Sequence, residues 1–180
     1  MTAVAGLNLI DAGKYVDIFG FGDEEERANS KINEMLDMIE KLYSKDSMPD
    51  IMQIMVHSAD CPHCQKSLPV WEKLVYALEI RLRKYTHATI EMGDEINLGS
   101  TKVSGIDLYT KFQPNGVPFF LQNFTIETVI KNNNMTIKNL KPSRFDLISV
   151  GELQPFNFLA TAFDIPNSYI EWKYPDAKSR

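Results

Sequence analysis

The hydrophobic positions divide the chain into one amphipathic stretch, several short apolar runs and an aromatic C-terminal segment. Between Asp23 and about Lys45, apolar residues recur at intervals of three and four, which is the spacing of one face of an α-helix. Acidic residues cluster at the start of this stretch and lysines at its end, where each charge interacts favourably with the helix dipole. We therefore predict an amphipathic helix here, preceded by an irregular, glycine-rich arm. The two form an N-terminal region over residues 1–48.

The next part of the chain alternates between runs that favour strands and runs that favour helices. Residues 51–56 are a short apolar run, typical of a strand covered on both faces. Pro62 suits the first position of a helix, since it has no N–H group to leave unpaired, and the apolar spacing continues this helix to about Lys84. Beyond it we predict a strand over 88–92, a helix over 106–112 and a turn at 113–116. A strand over 119–124 and its hairpin partner over 125–130 follow. Ser143 and Asp146 resemble a capping box, which predicts a last helix to Val150.

The last segment, residues 151–180, has no clear period but is rich in aromatic residues and prolines. A segment this aromatic is unfavourable in water, so we expect it either to pack back on the domain or to dock on a protein partner. We predict a main domain over residues 49–150, followed by this C-terminal extension.

Composition and charge exclude several classes of protein. The chain has 180 residues, of which 44% are hydrophobic and 24% charged, as is ordinary for a globular protein. Its net charge is −5 and no basic stripe runs along it, which disfavours nucleic acid as a partner. No apolar run approaches the length that crosses a bilayer, and the first residues lack the basic start of a signal peptide. We therefore expect a cytoplasmic protein, in a compartment where glutathione keeps ordinary thiols reduced.

The two cysteines of the chain occur together, in the run Cys61-Pro62-His63-Cys64. Cys61 would stand at the start of the second predicted helix, where the helix dipole and free backbone N–H groups stabilise a thiolate. Cys64, one turn further on, can donate an S–H hydrogen bond to that anion. A protonated His63 would add a positive charge, whereas Asp60 would oppose it. Because only the thiolate attacks a disulfide, this pattern predicts thiol–disulfide exchange.

A metal site is an alternative interpretation of two closely spaced cysteines. A structural zinc ion needs four ligands, and His57 or His87 could supply a third. No second cysteine pair and no paired histidines are present to complete the set, so we expect neither a metal nor an organic cofactor. We expect His57 in a loop or on the surface, and His87 in a polar turn.

The order of the predicted elements and three local motifs resemble the thioredoxin family. The motifs are the cysteine pair at a helix start, a proline five residues after the second cysteine, and the run Gly116-Val117-Pro118. That run resembles the glycine, β-branched residue and cis-proline that face the active site in the family. The resemblance covers roughly residues 49–150. It implies an α/β, thioredoxin-like fold with a central mixed sheet flanked by helices and a cis Val117–Pro118 bond near the sulfurs. It also implies protein substrates that carry thiols or disulfides, and a separate redox partner.

Several positions depart from that family. The Pro-His pair between the cysteines resembles the one in the bacterial periplasmic disulfide oxidant, but too few residues separate Cys61 from Pro118 for the helical insertion of that enzyme. Asp60 stands where thioredoxins have a tryptophan, and Phe119 where they have a threonine. Met55 stands where they bury the acid that accepts the proton of the resolving thiol. The resemblance therefore leaves the direction of exchange open between oxidation, isomerisation and reduction.

Two hypotheses of different class follow. In the first, the protein is a thiol–disulfide oxidoreductase with Cys61 as nucleophile and Cys64 as resolving thiol, supported by Pro62, His63, Asp60, Val117 and Pro118. In the second, it is a redox-silent interaction or assembly protein that binds through its N-terminal helix and residues 151–180. A virion role is compatible with the second, since large DNA viruses carry small proteins that resemble thioredoxins. A glutaredoxin-like use of glutathione is disfavoured, because only Lys66 supplies a basic group close to the motif.

Overall fold

A central β-sheet with helices on both faces forms the frame of the protein. The computed structural model describes residues 23–43, 50–98, 100–132, 134–138 and 141–165. Its helices are α1 (Asp23–Tyr43), α2 (Pro62–Arg81), α3 (Gly105–Phe112) and α4 (Pro155–Ala162). None of these described helices combines the length and apolar character that a membrane span requires. Its strands are β1 (Asp50–His57), β2 (Tyr85–Glu91), β3 (Glu95–Leu98), β4 (Thr101–Ser104), β5 (Phe119–Lys131), β6 (Asn134–Lys138) and β7 (Asp146–Val150).

The main sheet has the strand order β2-β1-β5-β7. β1 runs parallel to β2, β5 runs antiparallel to β1, and β7 runs antiparallel to β5. The far half of β5 continues beyond these strands and pairs with β6 in a hairpin. The four main strands therefore form a mixed sheet flanked by helices, which confirms the α/β class and is compatible with a thioredoxin-like fold.

β1 is the central strand of the domain, because both of its faces are covered. Every residue of the strand is buried. Ile51 and Met55 belong to one core, which the sheet shares with α1, α2 and α4. Ile54 and Val56 belong to a second core, which the sheet shares with α3 and the β3–β4 hairpin. Successive side chains of a strand point to opposite faces, so a single apolar run anchors helices on both sides of the sheet.

The described part of the C-terminal segment packs back on the domain. α4 and the residue after it contribute Phe158, Leu159 and Phe163 to the core that α1 and α2 share. The hydroxyl group of Tyr43 also donates a hydrogen bond to the carbonyl oxygen of Phe163 at 2.7 Å. Residues 166–180 lie outside the described residues, so a partner-binding role for them stays a prediction.

Two predicted boundaries in the first half of the domain are shifted. α2 ends at Arg81 rather than near Lys84. β2 begins at Tyr85, earlier than predicted, because the parallel pairing with β1 already includes Tyr85 opposite Ile51. The strand is polar at several positions, and its start therefore depends on its partner strand more than on its own pattern.

Larger differences occur after β2. The β3–β4 hairpin was not predicted. Residues 125–130 are not a hairpin partner but continue β5, because the chain reverses only at Asn132, whose φ of 51° fits a tight turn. Residues 146–150 form β7 and not the end of a helix. A short 3-10 turn at Pro142–Arg144 comes before the backbone pairs with β5.

The contact between α3 and the end of β2 gives a test of this packing. A Cβ added to Gly105 would lie 2.5 Å from the carbonyl oxygen of Glu91 and 2.6 Å from Cα of Met92. Because both atoms belong to the backbone, we expect Gly105→Ala to lower the free energy of unfolding by about 2 kcal/mol. Gly93→Ala is the matched control, since a Cβ there meets nothing within 4 Å. Chemical denaturation measures both variants, and equal stabilities would contradict the close approach.

Candidate active site

Cys61 caps the N-terminus of α2, shortly after the end of β1. Its backbone is extended, with φ of −96° and ψ of 116°, and its sulfur accepts a hydrogen bond from the backbone N–H of Cys64 at 3.1 Å. Pro62 follows as the first helical residue. The first N–H groups of a helix have no partner within the helix, so here a sulfur takes the place of the usual capping oxygen. The Cys61 sulfur therefore lies at the positive end of the helix dipole, with a backbone N–H group directed at it.

Cys64 differs from Cys61 in its exposure. Its side chain is 0% exposed, whereas Cys61 is partly exposed. The Cys64 sulfur accepts a hydrogen bond from the backbone N–H of Ser58 at 3.5 Å. Burial, followed by the hydrogen bond that Cys64 donates to Cys61, raises the pKa of Cys64 to about 11. Cys64 is therefore a thiol at neutral pH, and Cys61 is the sulfur that solvent reaches.

The Val117–Pro118 loop lies against the sulfur of Cys61. The peptide bond between these two residues is cis, as the resemblance implies. The Cys61 thiol donates a hydrogen bond to the carbonyl oxygen of Val117 at 3.5 Å. The loop is held in this position because Phe119 begins β5 and pairs with Val56 near the end of β1. The fold thus brings two motifs that are far apart in the sequence into one site.

Exposed charged side chains lie around this pair of motifs. Asp60 and His63 are both exposed, and Nδ1 of His63 lies 3.2 Å from Oε1 of Glu152. Glu152 was not among the predicted site residues. It lies in a segment without a periodic pattern, far along the chain from the cysteines, and the pairing of β7 with β5 helps to bring it near them.

The backbone on either side of Glu152 joins the two motifs. The N–H of Gly151 donates a hydrogen bond to the carbonyl oxygen of Pro118 at 2.8 Å. The N–H of Leu153 donates to the hydroxyl oxygen of Ser67, on α2, at 2.9 Å in a buried contact. The site is therefore bordered by the end of β1, the cis-proline loop and this short segment.

The two histidines that were considered as metal ligands lie elsewhere than predicted. His57 is buried, at 7% exposure, because β1 continues to this residue and pairs it with Glu91; its Nδ1 has no hydrogen-bond partner among the described residues. His87 lies within β2 and not in a turn, with its Nε2 3.3 Å from Oε2 of Glu79. Within the described ranges, no group of three or more histidine, cysteine and acidic side chains could hold a metal ion.

The two cysteines, the cis-proline loop and Glu152 form one site built from three separate parts of the chain. No protein-family model, no curated protein and no solved structure matches the chain. Its function therefore has to be inferred from the geometry of this site.

Proposed function

We propose that the protein is a thiol–disulfide oxidoreductase with a thioredoxin-like fold, acting on protein substrates. The position of Cys61 carries the proposal: its partly exposed sulfur caps α2, 3.1 Å from a backbone N–H group and beside a buried second thiol. Such a pair suits exchange, because a thiolate is the nucleophile and a neighbouring thiol can displace the product. The strand order supports the fold assignment, since the cysteines follow β1 and the cis-proline precedes β5.

In the reducing direction the exchange takes two steps. The Cys61 thiolate attacks one sulfur of a substrate disulfide, so that a mixed disulfide forms and the other substrate sulfur leaves as a thiolate. Cys64 then gives up its proton and attacks Cys61. The bond between Cys61 and the substrate breaks, a second substrate thiolate leaves, and the Cys61–Cys64 disulfide forms. Two electrons pass to the substrate, and a separate dithiol partner reduces the new disulfide; oxidation of a substrate is the same sequence in reverse.

The backbone at Val117 offers a way to hold an extended substrate. Val117 is half-buried and its carbonyl oxygen lies 3.5 Å from the sulfur of Cys61, so a peptide that carries the reactive cysteine could add alongside it as a strand. The side chain of Val150 is 42% exposed and lies close to Gly116, next to Val117 in the chain. A Cβ added to Gly116 would be 3.8 Å from it. An apolar surface next to this backbone suits a protein substrate.

The alternative, a redox-silent interaction or assembly protein, shares this fold but does not need the sulfur chemistry. A cytoplasmic location and partner binding through the C-terminal residues stay predictions. Substitution of the cysteines separates the two functions.

Cys61→Ser and Cys64→Ser test the division of roles between the two thiols. We expect Cys61→Ser to reduce insulin, or to oxidise a dithiol peptide, only at the uncatalysed rate, because the nucleophile is lost. We expect Cys64→Ser to accumulate mixed disulfides between Cys61 and substrate, visible on non-reducing gels. Circular dichroism checks that both variants stay folded. Exchange at the wild-type rate by Cys61→Ser would exclude the proposal and favour the redox-silent alternative.

The different exposure of the two sulfurs predicts selective alkylation. In the reduced, native protein we expect iodoacetamide to label Cys61 at least about tenfold faster than Cys64, because alkylation needs an accessible thiolate. In denaturant the two rates should become similar. Mass spectrometry of the labelled peptides measures both rates, and equal labelling of the native protein would contradict the site geometry.

The raised pKa of Cys64 predicts a loss of stability in alkaline solution. An unfolded cysteine titrates near about pH 8.5, whereas the pKa of Cys64 in the folded protein is about 11. Between these pH values the unfolded chain binds fewer protons than the folded protein does. The stabilisation that the folded protein gains from the raised pKa of Cys64 is therefore complete below about pH 8.5 and is lost as the pH rises through about 11.

We therefore expect the reduced wild-type protein to lose more unfolding free energy between pH 8 and pH 11 than Cys64→Ala, which lacks this titration. Burial also raises the pKa values of Tyr43 and Tyr85, but both tyrosines are present in the two proteins and cancel in the difference. Urea denaturation at a series of pH values measures the slopes. Parallel curves for the two proteins would show that Cys64 titrates as in the unfolded chain.

A further inference from the structure

The segment between β7 and α4 is held on both sides of the candidate active site. Gly151, whose φ of 98° suits glycine, binds the carbonyl oxygen of Pro118 at 2.8 Å. Leu153 binds the Ser67 hydroxyl at 2.9 Å. Two backbone hydrogen bonds therefore fix the residue between them, Glu152, relative to the cis-proline loop and to α2.

The side chain of Glu152 reaches His63, one of the two residues between the cysteines. Its Oε1 is 3.2 Å from Nδ1 of His63, and the two side chains are 38% and 64% exposed. His63 is one of the supporting residues, because a positive charge on its ring would stabilise a thiolate at Cys61. Glu152 can therefore act on the sulfur chemistry through His63.

The direction of this effect follows from the charges. Stabilising the thiolate stabilises the reduced form and makes the disulfide a stronger oxidant. A carboxylate beside the imidazole offsets the positive charge of the ring and holds the ring on the side of residues 151–153.

We propose that Glu152 is a positioning residue that acts through His63. Its carboxylate makes the Cys61–Cys64 pair a stronger reductant than the same pair, with Pro-His between the cysteines, would be without it. This inference rests on the proposed function, because it assumes that the two cysteines form a reversible redox pair. Glu152 is then the group that moves the direction of exchange toward reduction.

The test is the equilibrium of the full-length protein with glutathione, in which two glutathione thiols reduce the Cys61–Cys64 disulfide and become glutathione disulfide. We expect Glu152→Gln to shift this equilibrium constant about threefold toward the reduced protein, as suits an exposed ion pair. Threefold corresponds to about 14 mV, since a tenfold change equals about 29.6 mV. At 1 M salt the shift should largely disappear, because exposed charges are then screened.

Two further variants separate a specific role from a general loss of charge. Glu79→Gln removes the same kind of contact, 3.3 Å between Glu79 and His87 near the other end of α2, and should leave the equilibrium unchanged. In a His63→Gln background, Glu152→Gln should shift the equilibrium by less than half as much as in the wild type.

Three outcomes would overturn the inference. An equal shift with and without His63 would show that Glu152 does not act through the histidine. An unchanged equilibrium in Glu152→Gln, with exchange activity intact, would remove the inference and leave the proposed function standing. A wild-type protein whose cysteines form no reversible disulfide would overturn both.

Discussion

The hydrogen bond from the backbone N–H of Cys64 to the sulfur of Cys61 is the contact on which the candidate site depends. It makes the Cys61 side chain the cap of a helix, so the sulfur is positioned by α2. α2 is in turn fixed by its core. Trp71 is fully buried, packs against Phe120, and donates a hydrogen bond from Nε1 to Thr89 at 2.8 Å. Displacing the sulfur would require α2 to move on the sheet.

The same arrangement makes the two thiols chemically different although they are neighbours. Cys61 lies at the helix tip, where solvent and the Val117 carbonyl group reach it, whereas Cys64 is completely buried and accepts a hydrogen bond from the N–H of Ser58. Burial costs a charged sulfur its hydration, which is the main reason that the pKa of Cys64 rises to about 11. The order of the proposed reaction therefore has a physical origin in the fold, because only one of the two sulfurs can meet a large substrate first.

The parts of the site that depend on local sequence could be predicted from the residues themselves, and the approach of the cis Val117–Pro118 bond to the sulfurs only from the resemblance. The other contacts that depend on tertiary pairing could not be predicted. The cap at Cys61 and the first helical residue, Pro62, follow from chemistry within one helical turn. β7 has only five residues. Over so short a stretch the sequence does not distinguish a strand from a helix that a capping signal begins, and the pairing with β5 makes it a strand. The burial of His57 and the approach of Glu152 both result from long-range packing, so no local pattern indicates them.

In the proposed oxidoreductase, the fold and the redox direction would be determined by different kinds of residue. The sulfurs are held by buried groups and backbone hydrogen bonds, such as the one from Leu153 to Ser67. The charges near Cys61 belong to exposed side chains, Asp60 and Glu152 among them, whose substitution costs little stability. Water weakens each of these charges, so the balance between oxidation and reduction depends on their sum. The site can therefore keep its geometry while its direction changes, and for this reason a resemblance in fold does not determine the direction of exchange.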